Sequence, residues 1–309
     1  MAALTLLEAS KLDTGNEIRS TITEMYVGSS SVLQTLGFDD IPGGSLTYNS
    51  EQTYPGVGFR GFNEAYTPSV GVLNPKTEIL TIAGGELDVD VALIKTRGMR
   101  QRAVQEAMKA KALGAAWTQK FFKGDSGSDP REFDGLQVRC VGDQKFQAGA
   151  TANGTALSLA VLDEAIRRTL NPTALFMSSK MAIKFTAAAR STTVGGYISY
   201  DKNEMGQRVL MYNNLPILTV DLDGSGAEIL PFTEAATSGT ATASSIYVAS
   251  LGDTGIMGIQ NGGMDVRDLG ELPTAPVYRT RIEWLSGLAV FNGKAVTRLW
   301  SIADAAITA

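Results

Sequence analysis

The most regular pattern of apolar and polar positions lies in residues 98–123. Ala is abundant there and favours helix, and the run Gly124-Asp125-Ser126-Gly127 ends the pattern. At about 1.5 Å per residue, the predicted helix is roughly 39 Å long. Its apolar residues recur at spacings of three and four, as on one face of a helix: Met99, Ala103, Ala107, Ala110, Leu113, Trp117 and Phe121.

Residues 48–97 precede this helix and predict a long two-stranded hairpin. Glycine and proline interrupt its first half, and residues 79–93 alternate between apolar and polar positions as a strand does. Gly84-Gly85 predicts a turn or bulge within the returning strand. Such a hairpin has little core of its own, and its exposed edges favour aggregation unless another surface covers them.

Two further regions near the N-terminal half have weaker patterns. Residues 1–47 predict a loose arm, because Gly28-Ser29-Ser30-Ser31 and Ile41-Pro42-Gly43-Gly44 interrupt its short apolar pieces. Residues 124–150 predict a loop followed by a short strand over residues 136–141. The arm cannot bury much of its own apolar surface, so we expect it to pack on another one.

Residues 151–272 predict a separate α/β unit. Asn171-Pro172 ends its first helix, and residues 213–216 form a turn between two strands. A stretch rich in Ala, Thr, Ser and Gly predicts a surface loop over residues 233–245. The predicted elements are helices over 158–170 and 179–190 and strands over 174–177, 209–212, 217–220 and 246–249.

The last segment, residues 278–302, predicts two closing strands. Apolar residues alternate on both sides of Asn292-Gly293. Asn-Gly between apolar runs is a strong signal for a two-residue hairpin turn, so we expect the two strands to pair with each other.

Composition excludes several classes of chemistry. The chain of 309 residues contains no histidine, which removes the usual catalytic triads and most zinc sites. Cys140 is the only cysteine, so no disulfide can form within the chain, and a small buried side chain is favoured over a reactive thiol. No apolar run approaches the roughly 20 residues that cross a bilayer. Residues 1–8 lack a basic lead, and we expect no signal peptide and synthesis in the cytosol.

Charge gives a mixed picture. The formal net charge is −5, whereas proteins that wrap duplex DNA through its phosphates are usually basic. Residues 97–123 are nevertheless locally basic, with Glu106 as the only acid. Two explanations account equally well for this basic stretch. One is a solvated helix face, and the other is contact with acidic neighbours, a scaffold or packaged nucleic acid. Its basic residues are Arg97, Arg100, Arg102, Lys109, Lys111, Lys120 and Lys123.

Three patterns suggest chemistry, but each has a simpler interpretation. The pairs Asp88/Asp90 and Asp221/Asp223 could offer carboxylates to a divalent cation, yet such carboxylates are common in turns and at strand ends. Gly56, Gly58 and Gly61 have dinucleotide-type spacing but open no helix after a buried strand. Residues 178–180, Ser-Ser-Lys, are typical of a helix start. We therefore predict no catalytic, cofactor or metal site.

Four segments carry a set of motifs in a fixed order. Residues 131–136, Arg-Glu-Phe-Asp-Gly-Leu, contain an "F-x-G-L" type of turn. Residues 174–179 combine a strand with a helix start, and residues 205–217 combine a strand, a turn and a "G-x-P-V" type of strand, with Asn214 in place of the glycine. Glu283-Trp284 and residues 287–290 lie in the two closing strands. Together, these segments resemble tailed-bacteriophage major capsid proteins of the Hong Kong 97-type capsid fold, which herpesvirus capsid floors and encapsulins share.

The resemblance implies an α+β fold and a division of the whole chain. Residues 1–47 become an N-terminal arm and 48–95 the extended E-loop. Residues 96–150 with 273–309 become a peripheral domain around the long spine helix, and 151–272 an axial domain. In this arrangement the hairpin and the arm lie over adjacent subunits, which supply the surface that a monomer lacks.

The resemblance also implies the function and the partners. The protein is then a structural subunit, not an enzyme, that forms hexamers and pentamers of an icosahedral phage head around double-stranded DNA. It is made in the host cytoplasm and ends in the virion, without contact to a membrane. The expected partners are other copies of the chain, a separate scaffold protein, a portal and a decoration protein. The candidate contacts between subunits are Tyr54, Arg60, Phe62, Tyr66, Lys76, Arg100, Arg102 and Lys109.

Three alternatives and one modification stay open. An encapsulin would share the fold and enclose enzyme cargo, and residues 4–12 could form its cargo-docking helix. An enzyme would need an acid and a base that converge on one site, and the sequence offers no such set. A tail-tube or adhesion protein would not account for the long basic helix. Some relatives join an E-loop lysine to an asparagine of a neighbour. Lys76 and Asn292 have the right types, but no catalytic glutamate can be placed, so crosslinking is disfavoured.

Overall fold

A computed structural model describes residues 30–53, 55–97, 100–190, 198–202, 208–220, 222–240 and 242–308. Within these ranges no helix is both long enough and apolar enough to cross a membrane. The helices are α1 (Ser31–Thr35), α2 (Val91–Arg97), α3 (Arg100–Lys123), α4 (Leu136–Arg139), α5 (Leu159–Arg168) and α6 (Ser179–Ala189). The strands are β1 (Phe38–Asp40), β2 (Ser45–Thr53), β3 (Val72–Ile79), β4 (Thr81–Asp90), β5 (Lys145–Gln147), β6 (Ala174–Ser178), β7 (Ile198–Lys202), β8 (Arg208–Tyr212), β9 (Leu215–Val220), β10 (Ala243–Ala249), β11 (Ile256–Glu271), β12 (Val277–Val290) and β13 (Val296–Ala303).

The long helix α3 packs on a four-stranded sheet with the strand order β1-β11-β12-β4. The prediction of a helix over 98–123 is confirmed for residues 100–123. Trp117 lies at the centre of the interface, with its ring centroid 5.5 Å from Phe38 and 5.6 Å from Trp284. Its indole nitrogen donates to the buried Ser286 hydroxyl at 3.1 Å. The later part of the predicted apolar face therefore builds this core, with Ala110, Trp117 and Phe121 buried, whereas Ala103 is exposed.

A seven-stranded sheet forms the second layer, with the order β5-β13-β10-β6-β9-β8-β7. Strand β10 is buried along its whole length, and β6 pairs in parallel with β9. Helix α5 packs on β13, and α6 packs on β6 and β9. The predicted helices and strands of residues 158–190 and 208–220 are confirmed in type and order. Asn213 and Asn214 form the predicted turn between β8 and β9, with φ angles of 48° and 62°.

The predicted hairpin is correct in its first part and wrong in its second. Strands β2 and β3 pair with each other, but β4 pairs with β12 and belongs to the four-stranded sheet. The predicted turn or bulge at Gly84-Gly85 is also wrong, because both glycines lie in regular register opposite Glu283 and Ile282. A Cβ on Gly84 would stand 2.3 Å from the Ile282 carbonyl oxygen, so close strand packing is the reason for glycine there.

Two local predictions fail because tertiary contacts outweigh local preference. Residues 136–141 form helix α4 and the start of a 3-10 turn at Gly142–Gln144, not a strand. Asn292-Gly293 does not join paired strands, because β12 lies in the four-stranded sheet and β13 pairs with β10 and β5 in the other sheet. This turn therefore carries the chain from one sheet to the other.

The prediction of a surface loop over 233–245 is wrong for its last three residues, which are buried in β10. Most of β11 was not predicted, because its residues from 260 onward are largely polar and rich in glycine. Strand β11 pairs with β12 across the predicted boundary between residues 272 and 273. The division into arm, E-loop, peripheral and axial domains stays a prediction, and most of the predicted arm and the glycines at 195 and 196 lie outside the described residues.

Candidate functional site

The hairpin β2–β3 projects a tip with unusual surface chemistry, residues 55–71. A cation–π contact joins Arg60 to the Tyr66 ring at 5.3 Å, and the Gly61 amide donates to Glu64 Oε2 at 2.8 Å. The tip thus has internal contacts but no apolar core. Its large apolar side chains and those of the adjoining strand are exposed: Val57, Phe59, Phe62, Tyr66, Val70, Val72, Leu73 and Ile79.

Exposure of this kind indicates a surface used for contact. Phe59 and Phe62 have relative exposures of 105% and 103%, as in an extended peptide. Monomeric proteins rarely leave contiguous apolar patches uncovered, and large ones mark interaction sites. The structure places four of the residues named from the sequence on this hairpin, all of them exposed: Arg60, Phe62, Tyr66 and Lys76.

The other named residues give a different result. Tyr54 and the side chain of Arg100 lie outside the described part of the chain. Arg102 is only 9% exposed. It forms ion pairs with Glu106 at 3.0 Å and with Asp268 at 2.8 Å. Because its guanidinium is used within its own chain, the geometry disfavours Arg102 as a contact to a neighbour. Its position explains instead how the N-terminal end of α3 is fixed to the four-stranded sheet.

The basic character of helix α3 is likewise partly internal. The Lys109 ammonium lies over Gly85 of β4, where an added Cβ would stand 2.7 Å away. Lys120 forms an ion pair with Glu132, and Lys123 Nζ lies 3.9 Å from Glu234 Oε1. These contacts reduce the charge that the helix can present to acidic neighbours or to nucleic acid.

A group of polar side chains missed by the sequence analysis anchors the base of the hairpin. Arg139 of α4 donates two hydrogen bonds to Glu78 of β3, at 2.6 and 2.7 Å. The single proton of the Tyr48 hydroxyl of β2 is shared between two acceptors, Glu78 Oε1 at 3.1 Å and the Val290 carbonyl oxygen at 2.8 Å. Burial, together with the charge of Glu78, raises the pKa of Tyr48 to about 12. Arg139 and Glu78 are 61 residues apart, and no local pattern indicates their pairing.

The carboxylate pairs considered for a cation have other partners. Asp88 accepts two hydrogen bonds from Arg279, each 2.6 Å long, and Asp90 accepts from the Ala92 amide at the start of α2. Asp223 accepts from the Ser225 and Ala227 amides in a tight turn, while its predicted companion at position 221 is outside the described ranges. Among the residues whose placement is described, no three Asp, Glu, Cys or His side chains form a group suited to a metal ion.

The remaining motifs have structural explanations. The glycines at 56, 58 and 61 lie in the exposed hairpin tip and open no helix. The Ser178 hydroxyl accepts from the Met181 amide at 3.2 Å, so the predicted helix start is confirmed. Cys140 is buried, as expected, and burial raises the pKa of its thiol to about 12. Asn292 accepts from the Lys294 amide in its turn, and a crosslink from Lys76 to this residue of a neighbour stays a prediction.

Comparison with known proteins gives agreement in structure but not in sequence. No protein-family model matches the chain, and no curated protein sequence matches it. The holo-SrpI encapsulin complex from Synechococcus elongatus PCC 7942 is similar with a TM-score of 0.66 and 16% identity, covering 99% of both chains. The capsid of a native GTA particle is similar with a TM-score of 0.63 and 15% identity, covering 89% of this chain and 91% of the other.

A third structure comes from Microbacterium phage Oxtober96, with a TM-score of 0.62 and 11% identity over 87% of this chain and 90% of the other. These matches extend over 87–99% of this chain. Agreement of this extent at such low identity is agreement of fold. The chain therefore has the Hong Kong 97-type capsid fold.

Proposed function

We propose that the chain is a structural subunit that assembles with copies of itself into a closed shell. The observation that carries the proposal is the hairpin tip, whose Phe59 and Phe62 are fully exposed in a chain whose fold matches capsid and encapsulin structures. A monomer leaves this apolar surface in water, whereas a lattice buries it between subunits. Each Å² of apolar area buried between subunits stabilises the assembly by about 25 cal/mol. Because every subunit contributes the same contact, the total stabilisation of the shell is large.

More specifically, the proposed role of the chain is that of the major capsid protein of a phage head. Two features support it: the long glycine-rich hairpin tip and the similarity to GTA and phage structures. In this role the chain forms hexamers and pentamers, and its partners are a separate scaffold protein, a portal, a decoration protein and the packaged double-stranded DNA nearby. The virion is then its location.

The second candidate is an encapsulin, a cellular shell that encloses protein cargo. The observation that favours it is the match to the SrpI encapsulin, which covers 99% of both chains. The loop rich in Ala, Thr, Ser and Gly does not favour either candidate, because its Thr240 and Thr242 hydrogen-bond to Asn153 of the same chain.

Electron microscopy of the purified chain tests the shell proposal directly. We expect closed icosahedral particles or capsomers. A compact monomer at high concentration would refute the proposal.

The role of the tip requires a matched pair of variants. Phe62→Ser removes an exposed tip side chain, and Ile183→Ser removes one that is 69% exposed on α6. We expect the first to reduce the assembled fraction at least tenfold and the second to leave it within twofold. Equal changes in the assembled fraction for the two variants would refute a role of the tip in assembly.

The contents of particles from the native source separate the two candidates. Nuclease-resistant double-stranded DNA of defined length supports the phage head. Particles filled with one enzyme and free of such DNA support the encapsulin. Mass spectrometry of the particle proteins and gel analysis of the nucleic acid measure both.

A further inference from the structure

The described hydrogen bonds from the hairpin to the two larger sheets and their helices, here called the body, lie near its base. Among the described strands, β2 and β3 form hydrogen-bonded ladders with each other alone, from Ser45 opposite Ile79 to Thr53 opposite Val72. The remaining strands belong to the two larger sheets. No hydrogen-bonded ladder between described strands joins the hairpin to either larger sheet, so its direction is set by contacts at its base and by the one-residue connection through Leu80 to β4.

The strongest of these contacts is the pair between Arg139 and Glu78. The two side chains are 14% and 15% exposed, and the guanidinium meets both carboxylate oxygens. The same guanidinium donates to the carbonyl oxygens of Leu288 at 3.0 Å and Asp134 at 2.8 Å. Arg139 therefore joins three parts of the chain, because its planar fork satisfies acceptors on β3, on β12 and before α4.

The other contacts at the base are smaller. Tyr48 adds its bond to Val290, and its ring lies 5.0 Å from Phe291 in an edge-on arrangement. Leu46 packs against a small apolar cluster that includes Ile41 and Ile259. Together with the buried Leu80, whose amide donates to the Gly44 carbonyl at 2.9 Å, these contacts place the base on the body, and the Arg139–Glu78 pair adds an ionic contact there.

A small rotation at this point has a large effect at the tip. Glu78 lies six positions after Val72, the first residue of β3, which is roughly 20 Å of extended chain at about 3.4 Å per residue. A rotation of about 20° at the base therefore moves the far end of the strand by roughly 7 Å, and the tip beyond it by more.

We propose that Arg139 and Glu78 form a latch that sets the angle at which the hairpin leaves the body, so that opening the latch redirects the tip between alternative neighbours. The angle of the hairpin is a property of one subunit. The redirection of the tip between neighbours rests on the proposed shell function.

The angle is measurable by electron spin distance measurements on unassembled subunits. Nitroxide labels on Thr67→Cys in the tip and Asp253→Cys in the exposed turn before β11 report the distance between hairpin and body. Cys140 does not interfere, because it is buried and its pKa of about 12 keeps it protonated during labelling. We expect a narrow distance distribution for the parent and at least a twofold wider one after Glu78→Gln.

Two further variants separate the latch from a general loss of structure. Arg139→Lys keeps the charge but loses the two-pronged geometry, and we expect an intermediate width. Glu164→Gln breaks a surface pair with Arg167 on α5 and should leave the distribution unchanged. Circular dichroism checks that each variant is folded. An unchanged width in folded Glu78→Gln protein would overturn the latch.

Particle analysis tests the redirection of the tip. If the latch controls the choice of neighbour, Glu78→Gln gives particles of mixed diameter where the parent gives one size. Particles of a single parental size from a variant with a widened distance distribution would refute the redirection of the tip. Absence of particles from the parent itself would refute the shell function and leave the distance result standing.

Discussion

The ion pair between Arg298 of β13 and Glu234 gives the sharpest test of the buried electrostatics. Their side chains are 8% and 10% exposed, and Arg298 Nη2 lies 2.9 Å from Glu234 Oε2. Arg298 Nε donates to the Ser245 hydroxyl at 3.1 Å. Lys123, at the end of α3, lies 3.9 Å from the other carboxylate oxygen. The cluster thus connects the long helix, a loop and the seven-stranded sheet.

Breaking this pair should cost much more than breaking a surface pair. Removing one partner of a buried pair costs about 3–5 kcal/mol, because the other charge stays buried without compensation. For Arg298→Met we expect about 3 kcal/mol, since Lys123 still faces Glu234. Glu234→Gln should cost more, about 4–5 kcal/mol, because it leaves two cations near each other. The charge of Arg298 already contributes to lowering the pKa of Lys123, after burial as the larger cause.

Urea unfolding of unassembled subunits measures these free energies, and the double variant completes the cycle. We expect Arg298→Met with Glu234→Gln to cost less than the sum of the singles by about 2 kcal/mol. The control is Arg167→Met with Glu164→Gln, an exposed pair at 2.7 Å whose rupture should cost less than about 1 kcal/mol. Single costs below about 1 kcal/mol, or additivity within about 0.5 kcal/mol, would refute the reasoning.

Three further predictions use urea unfolding of the same subunits. The pKa of Cys140 is about 12 in the folded state and 9.0 in the unfolded state. Its contribution to the free energy of unfolding is therefore complete below pH 9.0 and is lost as the pH rises toward 12, at up to about 1.4 kcal/mol per pH unit. Cys140→Ala should flatten this alkaline slope, and an unchanged slope would contradict the assignment. Gly84→Ala should destabilise by at least about 2 kcal/mol because its Cβ meets the Ile282 carbonyl, whereas Gly58→Ala, in open space, should stay within about 0.5 kcal/mol. Asn214→Gly should be neutral within about 0.5 kcal/mol and Asn214→Val should cost about 1 kcal/mol or more, because the backbone has a φ of 62°; equal effects would argue against a left-handed turn.

The sequence by itself determined the elements whose periodicity matches their burial. The apolar face of residues 100–123 repeats every three to four positions, and Trp117 and Phe121 on that face are buried. The helix–strand–helix order of residues 158–190 followed from similar patterns and from Asn171-Pro172. The exposed hairpin tip was also predictable, because glycine and proline exclude a core there. The resemblance in four short segments supplied the fold, which the structural matches confirm.

Only the tertiary structure decided which strands pair, because pairing depends on contacts between residues far apart in the chain. The same alternation in β4 suits the hairpin or the four-stranded sheet, and burial of Val89 against the body selects the sheet. Asn292-Gly293 permits a hairpin, but the two strands beside it gain larger partners in separate sheets. The ion pair of Arg139 and Glu78 has the same origin: two charged residues 61 positions apart leave no periodic signal, and folding alone brings their side chains together.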